Sequence, residues 1–296
     1  MIPHCDIHKK VGLYNLEPFV VNTAMMRVSR YHKDQGDEVE EYNHFYPEDY
    51  DVVYAFSLFN YTPKGYITSK MICGGTGFDL TTTLPPEIDG SDYDWSLYPR
   101  CNYSMVWFSK GCIRNCPFCI VRLKEGCIQP CEPKNLNPNG VEIKIQDNNF
   151  FASLEWREAI KQLKEWDQPC DFAGGIDIRL MDEETCNALN GLRYGKHPKI
   201  KMAWDNPKDD LIWKFQEVVK IIKPYKIMVY VLIGYWSDED QDVMRVEKLR
   251  EIGIDPFVMP FNKRDHYQRS FARYVNHKAV FKSCTWSEYK KRKGLK

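Results

Sequence analysis

The chain has 296 residues, 43% of them hydrophobic, enough to bury one large core or two modest ones. Its 41 basic and 41 acidic residues cancel, so nothing in the charge demands nucleic acid or a membrane surface as a partner. The start, Met1-Ile2-Pro3-His4-Cys5-Asp6, lacks the apolar core of a signal peptide, and the longest apolar run, Ile227 to Trp236, is far short of the roughly 18 residues of a membrane span, which predicts a cytoplasmic protein.

Residues 9 to 100 read as a small α/β unit, preceded by a solvated terminus containing His4, Cys5 and His8. Lys10 to Asn15 is a first strand, and Asn22 or Thr23 caps a helix that carries Met26, Val28 and Tyr31 and stops at Gly36. Glu38 to Tyr42 is a second, partly exposed strand. Asp51 to Phe59 is an apolar run of the kind buried in a parallel sheet, and Met71-Ile72-Cys73 is a short fourth strand closed by Gly74-Gly75-Thr76-Gly77. Strands and helices in this order predict a small doubly wound sheet, Rossmann- or flavodoxin-like, with ligands beyond the strand C-termini. Thr81 to Asn102, with Pro85-Pro86 and Tyr98-Pro99 and little periodicity, reads as a linker that ends a first domain near residue 100.

A second α/β pattern starts at Ser104. Its strands are Ser104 to Phe108, Val141 to Gln146, Asp171 to Ala173, Lys199 to Trp204, Ile227 to Ile233 and Phe257 to Met259. Helices alternate with them: Ser153 to Trp166, with Leu154, Ile160 and Leu163 on one face; a helix opened by Asp182 and ending near Gly191; Asp209 to Ile222; and one opened by Ser237-Asp238-Glu239-Asp240 and ending at Gly253. Six strand-helix units are too few for a closed eight-fold barrel, but parallel arrangements of this kind keep their chemistry at strand C-termini.

After the first of these strands comes Gly111-Cys112-Ile113-Arg114-Asn115-Cys116-Pro117-Phe118-Cys119, a C-x3-C-x2-C triplet. Three thiolates crowded into eight residues make a soft-metal site. Iron-sulfur clusters are held by cysteine thiolates, and a cubane with only three protein ligands leaves one iron open to a small molecule. A closed zinc site that recruits Cys127 or Cys131 as fourth ligand is the alternative. Three buried thiols without metal suit the segment less, because Gly111, Arg114, Asn115 and Pro117 describe a polar loop. Eleven cysteines, an odd number, fit reduced thiols and a cluster better than a disulfide framework. No second tight triplet exists; scattered residues such as Cys73, Cys101, Cys170 and Cys186 read as small buried hydrophobes.

With the aromatic Phe118 just before its last cysteine, the triplet resembles the hallmark of the radical S-adenosylmethionine (SAM) superfamily. The resemblance implies a 4Fe-4S cluster on Cys112, Cys116 and Cys119, with SAM chelated to the open iron by its amino and carboxylate groups. An electron donor would supply the single electron that cleaves SAM to methionine and a 5′-deoxyadenosyl radical. The resemblance also implies a partial (β/α)6 barrel over residues 101–262, with SAM held at the ends of strands two to five. Those positions offer Asp147, Asn148 and Asn149, then Arg179, then Asp205, then Gly234. Arg179 suits a carboxylate, Asp205 the ribose hydroxyls, and Gly234 a close approach of backbone to adenine. The family's usual Gly-Gly-Glu after strand two is replaced here by Asp-Asn-Asn.

Residues 1–100 resemble a shortened form of the cobalamin-binding domain that precedes the barrel in many members, with Ser57-Leu58 and Gly74-Gly75 standing where its Ser-x-Leu and Gly-Gly elements fall. Asp6-Ile7-His8 with Gly12 departs from the cobalt-ligand motif D-x-H-x-x-G: the spacing is one residue too long, and it precedes the first strand. Cobalamin-dependent methyl transfer is therefore one expected reaction, and hydrogen abstraction without cobalamin the other. Residues 263–296 mix bases and aromatics, from His266 to Lys290-Lys291-Arg292-Lys293. The plainer account is an amphipathic helix pair in which Phe271, Tyr274 and Val275 close the open side of the barrel. From a different class comes a non-catalytic, metal-stabilised module that binds nucleic acid or protein through this basic-aromatic end. The substrate is not written in the sequence, because substrate contacts on such folds come from loops and terminal additions.

Overall fold

The computed structural model describes residues 8–195 and 200–294. His4, Cys5, Asp6 and Ile7, and Lys199 at the start of an expected strand, lie outside the described residues. The chain forms two compact units. One comprises Met1–Tyr103, Cys116–Gly126 and Pro133–Gly140, the other Ser104–Asn115, Cys127–Glu132 and Val141–Lys296. The division at Tyr103 falls close to the expected boundary at residue 100. The two excursions returning to the first unit were not expected, and residues 263–296 belong with the second unit instead of standing apart.

In the first unit, β1 (Lys10–Asn15), β2 (Glu38–Glu41), β3 (Val52–Phe56) and β4 (Ile72–Gly74) form one parallel sheet in the order β2-β1-β3-β4. The strand order reverses beside β1, the feature that leaves a crevice beyond the C-termini of β1 and β3 in doubly wound sheets. Helix α1 (Thr23–Asp34) starts where the Asn22 side chain accepts the Ala24 and Met25 N–H groups, satisfying donors that a first helical turn leaves orphaned. Period-two alternation sends Val11, Leu13 and Phe56 to the face covered by Met25 and Val28 of α1 and by Ile88 of α2 (Pro86–Asp89). The opposite face carries Val53 and Ala55 and is covered by Tyr42, Tyr50, Met71 and Phe78, so loops do there what a second helical layer does in a full doubly wound fold. The apolar run expected to reach Phe59 ends as a strand at Phe56, where the chain turns at Ser57.

Thr81 to Asn102 is not a solvated linker. Ile88, Tyr93 and Trp95 are buried, and the Asp94 carboxylate accepts hydrogen bonds from Ser29 (2.6 Å) and Lys33 (2.7 Å) of α1. Isolated apolar residues among prolines and aspartates carry no period, which is why their burial leaves no trace in a periodicity reading. Helix α3 (Val121–Lys124) also belongs to this unit.

The second unit is built on two parallel sheets in sequence order. The first contains β5 (Ser104–Val106), β8 (Ile143–Ile145) and β9 (Cys170–Phe172). The second contains β10 (Ile176–Asp177), β11 (Ile200–Ala203), β12 (Ile227–Ile233) and β13 (Asp255–Pro260). A short antiparallel pair, β6 (Ser109–Lys110) with β7 (Gln129–Pro130), was not anticipated; it closes the base of the long excursion after β5. Helices α4 (Trp156–Trp166), α5 (Glu183–Asn190), α6 (Ile212–Ile221) and α7 (Glu239–Glu251) connect successive parallel strands. Asp182 and Asp238 make the capping boxes of α5 and α7, with Thr185 and Gln241 returning the hydrogen bond.

Helix α4 buries Ile160 and Leu163 as expected, but Leu154 precedes it and is 95% exposed. The helix starts only at Trp156, so Leu154 lies outside its periodicity. Beyond β13, α8 (His266–Asn276), α9 (Lys278–Ser283) and α10 (Trp286–Lys293) enclose an aromatic cluster of Phe271, Tyr274, Phe281, Trp286 and Tyr289. Phe271, Tyr274 and Val275 are fully buried, as an apolar helix face requires. No helix among the described residues is long and apolar enough to cross a membrane.

Candidate functional site

Beyond the C-terminus of β5 the chain passes through Trp107 and Phe108 into β6, then into the cysteine loop. Asp147, just past β8, fastens this exit: its buried carboxylate accepts the Phe108 N–H at 3.0 Å and the Ser109 hydroxyl at 2.6 Å. Burial pushes the Asp147 carboxyl up to about 6, against the pull of the Ser109 and Phe108 hydrogen bonds. Asp147 is thus engaged by the loop root, while Asn148 beside it is half-buried.

Asn149 reaches the cysteines. Its Nδ2 donates to the Cys112 sulfur at 3.7 Å, and the Arg114 backbone N–H donates to the same sulfur at 3.3 Å. The Asn149 Oδ1 is buried and has no hydrogen-bond partner among the described residues. Cys131 has its N–H on the Phe108 carbonyl (2.9 Å) and its thiol on the Trp107 carbonyl (3.5 Å), so it serves the β6–β7 pair; Cys127 is exposed. The loop passes between units after Asn115: Cys112 belongs to the second, Cys116, Phe118 and Cys119 to the first. A hydrogen bond from the Cys119 N–H to the Cys116 carbonyl (2.9 Å) closes the turn around Phe118. Among the described residues no three His, Cys, Asp or Glu side chains converge as a metal site.

Sequence reasoning missed Asp177, at the end of β10. Its carboxylate accepts from Arg114 Nε (2.9 Å) and from Arg179 at both oxygens (Nε 2.7 Å, Nη2 3.2 Å). Burial works against the charge of Asp177, but the two guanidiniums outweigh it and hold the carboxyl below its ordinary value. Arg179 also reaches Asp209 at 3.4 Å. Nothing in the local pattern separates Asp177 from other strand-end aspartates; its partner Arg114 is 63 positions away.

Asp205, past the end of β11, is half-buried, and its carboxyl is pushed up by burial despite the nearby Arg245. Arg245, on α7, is 0% exposed and ties strand ends together: it donates to the carbonyls of Trp204 (2.8 Å), Asp205 (3.1 Å) and Leu232 (2.9 Å) and to the Asp242 carboxylate (2.6 Å). Gly234, past β12, has a left-handed φ of 75°. A side chain there would collide with the Gln268 amide of α8, so the space expected to admit adenine is occupied by Gln268.

The residues present suit a thiolate-held cluster in donor chemistry: three thiols, with two N–H groups on one sulfur and an unpaired buried amide oxygen beside it. The residues expected to cradle cobalamin do not suit that group. At the strand-order reversal of the first unit, Glu17 fills the crevice: its buried carboxylate accepts from the Ser57 hydroxyl (2.8 Å), Leu58 N–H (3.1 Å) and Phe59 N–H (3.3 Å). Burial opposes the Glu17 charge, but hydrogen bonds from Thr62, Leu58, Ser57 and Phe59 win and hold its carboxyl below the usual range. Ser57 also accepts from Lys64 (2.6 Å) and is fully buried. Gly75, at φ 103°, lies where a side chain would strike the Ser57 carbonyl, and only Gly74 borders open space. Ser57 therefore serves an internal carboxylate, and Gly75 packs against the Ser57 carbonyl.

No protein-family model and no curated protein matches the chain.

Proposed function

We propose that the chain is a radical SAM enzyme that cleaves SAM reductively to start a hydrogen abstraction. The observation that carries this reading is the position of the cysteine loop: it leaves the first of a run of parallel strands in sequence order, and Cys112 there lies under the amide of Asn149 from the end of the second. Counting β9 and β10 as one interrupted strand, β5, β8, β9–β10, β11, β12 and β13 correspond to the partial (β/α)6 barrel that the triplet implies. Strand C-termini are where such folds keep their chemistry.

In this reading Cys112, Cys116 and Cys119 hold a 4Fe-4S cluster. Bound there and reduced by an electron donor, the cluster supplies the electron that splits SAM into methionine and a 5′-deoxyadenosyl radical. Asp147 keeps the loop root fixed to the end of β8. Asp177 holds Arg114 and Arg179 side by side, so a SAM carboxylate would take over part of the Arg179 fork that Asp177 now accepts. Asp205, poorly solvated, gains from accepting ribose hydroxyls.

The binding-module alternative is weakened by its own residues: the aromatics that would stack on bases, among them Phe271, Tyr274 and Trp286, are buried in the second unit. Lys290 of the basic end is paired with Glu239 at 2.6 Å. The test is anaerobic reconstitution with iron and sulfide of the wild type and of Cys112→Ala, Cys116→Ala and Cys119→Ala. The reading predicts visible charge-transfer absorbance in the wild type and its loss in each variant. A wild type that takes up only zinc would overturn it.

A further inference from the structure

We infer that Asn149 sets the reduction potential of the cluster by donating its side-chain N–H to the Cys112 sulfur; the inference rests on the reading of Cys112 as a cluster ligand. Asn149 is 3% exposed, and its Nδ2 lies 3.7 Å from that sulfur. Its orientation is built into the fold. Asn149 lies four residues past the end of β8, its carbonyl accepts the Ala152 N–H (3.0 Å), and the adjoining Phe150 and Phe151 are buried.

The two faces of the amide suit different states of the sulfur. A neutral thiol can donate to an amide oxygen, whereas a metal-bound thiolate can only accept. The orientation seen here, N–H on sulfur, is the one a ligated thiolate would require, and it leaves Oδ1 as the buried acceptor without a partner among the described residues. A second donor, the Arg114 N–H, meets the same sulfur at 3.3 Å, and its residue is anchored by Asp177. Hydrogen bonds to cluster sulfurs stabilise the more negative, reduced state and raise the potential. Asn149 is accordingly a positioning and tuning residue, distinct in role from the expected contact with SAM.

The experiment is an EPR-monitored redox titration, without SAM, of reconstituted wild type, Asn149→Ala and Asn149→Asp. The aspartate keeps the shape, loses the donor and guards against a folding defect in the alanine variant. We expect near wild-type iron content and a reduction equilibrium constant lower by about 3-fold to 10-fold in Asn149→Ala, about 30 to 60 mV at 59 mV per tenfold, with a larger drop in Asn149→Asp. Unchanged potentials in cluster-replete variants would overturn the tuning role and leave the enzyme reading standing. A wild type that assembles no cluster would overturn both, which separates the two failures.

Discussion

Replacing Arg245 by Met should destabilise the second unit by about 3–5 kcal/mol, the usual cost of removing one partner from a buried ion pair. The guanidinium is 0% exposed and does four things at once: it pairs with Asp242 (2.6 Å) and satisfies the carbonyls of Trp204, Asp205 and Leu232. Met fills much of the volume but leaves the Asp242 carboxylate with the Tyr267 hydroxyl (2.9 Å) and without its cation, and strands three acceptors. Native domains hold only about 5–15 kcal/mol in total, so a loss of this size should be plain in urea unfolding followed by far-UV circular dichroism. The double variant Arg245→Met/Asp242→Leu should recover most of the loss, because the penalty comes from the stranded charge and an apolar pair avoids it. A loss below about 1 kcal/mol in Arg245→Met, or a double variant no better than the single, would refute the claim that this ion pair pins the ends of β11 and β12.

Asp147 should make stability fall as pH rises. Its folded value of about 6 exceeds the ordinary 3.8, so between these values the folded chain keeps a proton that the unfolded chain has released; the penalty is complete above pH 6 and corresponds to about 3 kcal/mol. Asp147→Asn should flatten the profile between pH 4 and about 7, and parallel urea-unfolding profiles for wild type and variant would count against this. Glu17→Ala should cost about 1–3 kcal/mol by leaving the Leu58 and Phe59 N–H groups unmet. Wild type should give no spectral change with hydroxocobalamin, and tight base-off binding would show that Glu17 yields its crevice. Arg179→Ala and Asp205→Ala should each weaken SAM binding by roughly 10-fold to 150-fold, the equivalent of about 1.5–3 kcal/mol, in calorimetric titration of the reconstituted protein. Unchanged affinity in both would move the SAM site elsewhere on the strand ends.

What could be read from the chain alone were the features encoded within a few residues of each other. The strands Lys10–Asn15 and Ile227–Ile233, the Asn22 cap and the boxes at Asp182 and Asp238 all stand where pattern and capping chemistry put them. The cysteine triplet was equally plain, and its root just beyond β5 follows from the apolar run that precedes it. The features that went unread depend on partners far along the chain. Asp177 becomes a hub only because Arg114 comes to it, and Glu17 fills the crevice only because the turns after β1 and β3 meet. Gly234 reads as an opening until Gln268, from a helix beyond the next strand, occupies it. Leu154 misled for a different reason: six residues before Ile160, it stands about 120° round from that residue at 3.6 residues per turn, and the helix itself begins only at Trp156.

The most direct measurement is of SAM cleavage itself. Anaerobically reconstituted protein, incubated with SAM and a strong one-electron reductant, should release 5′-deoxyadenosine and methionine, and Cys112→Ala, Cys116→Ala and Cys119→Ala should release neither. Protein that carries a full complement of zinc, or of iron and sulfide, and leaves SAM intact under these conditions would contradict the central claim that the loop from Cys112 to Cys119 is the seat of radical chemistry.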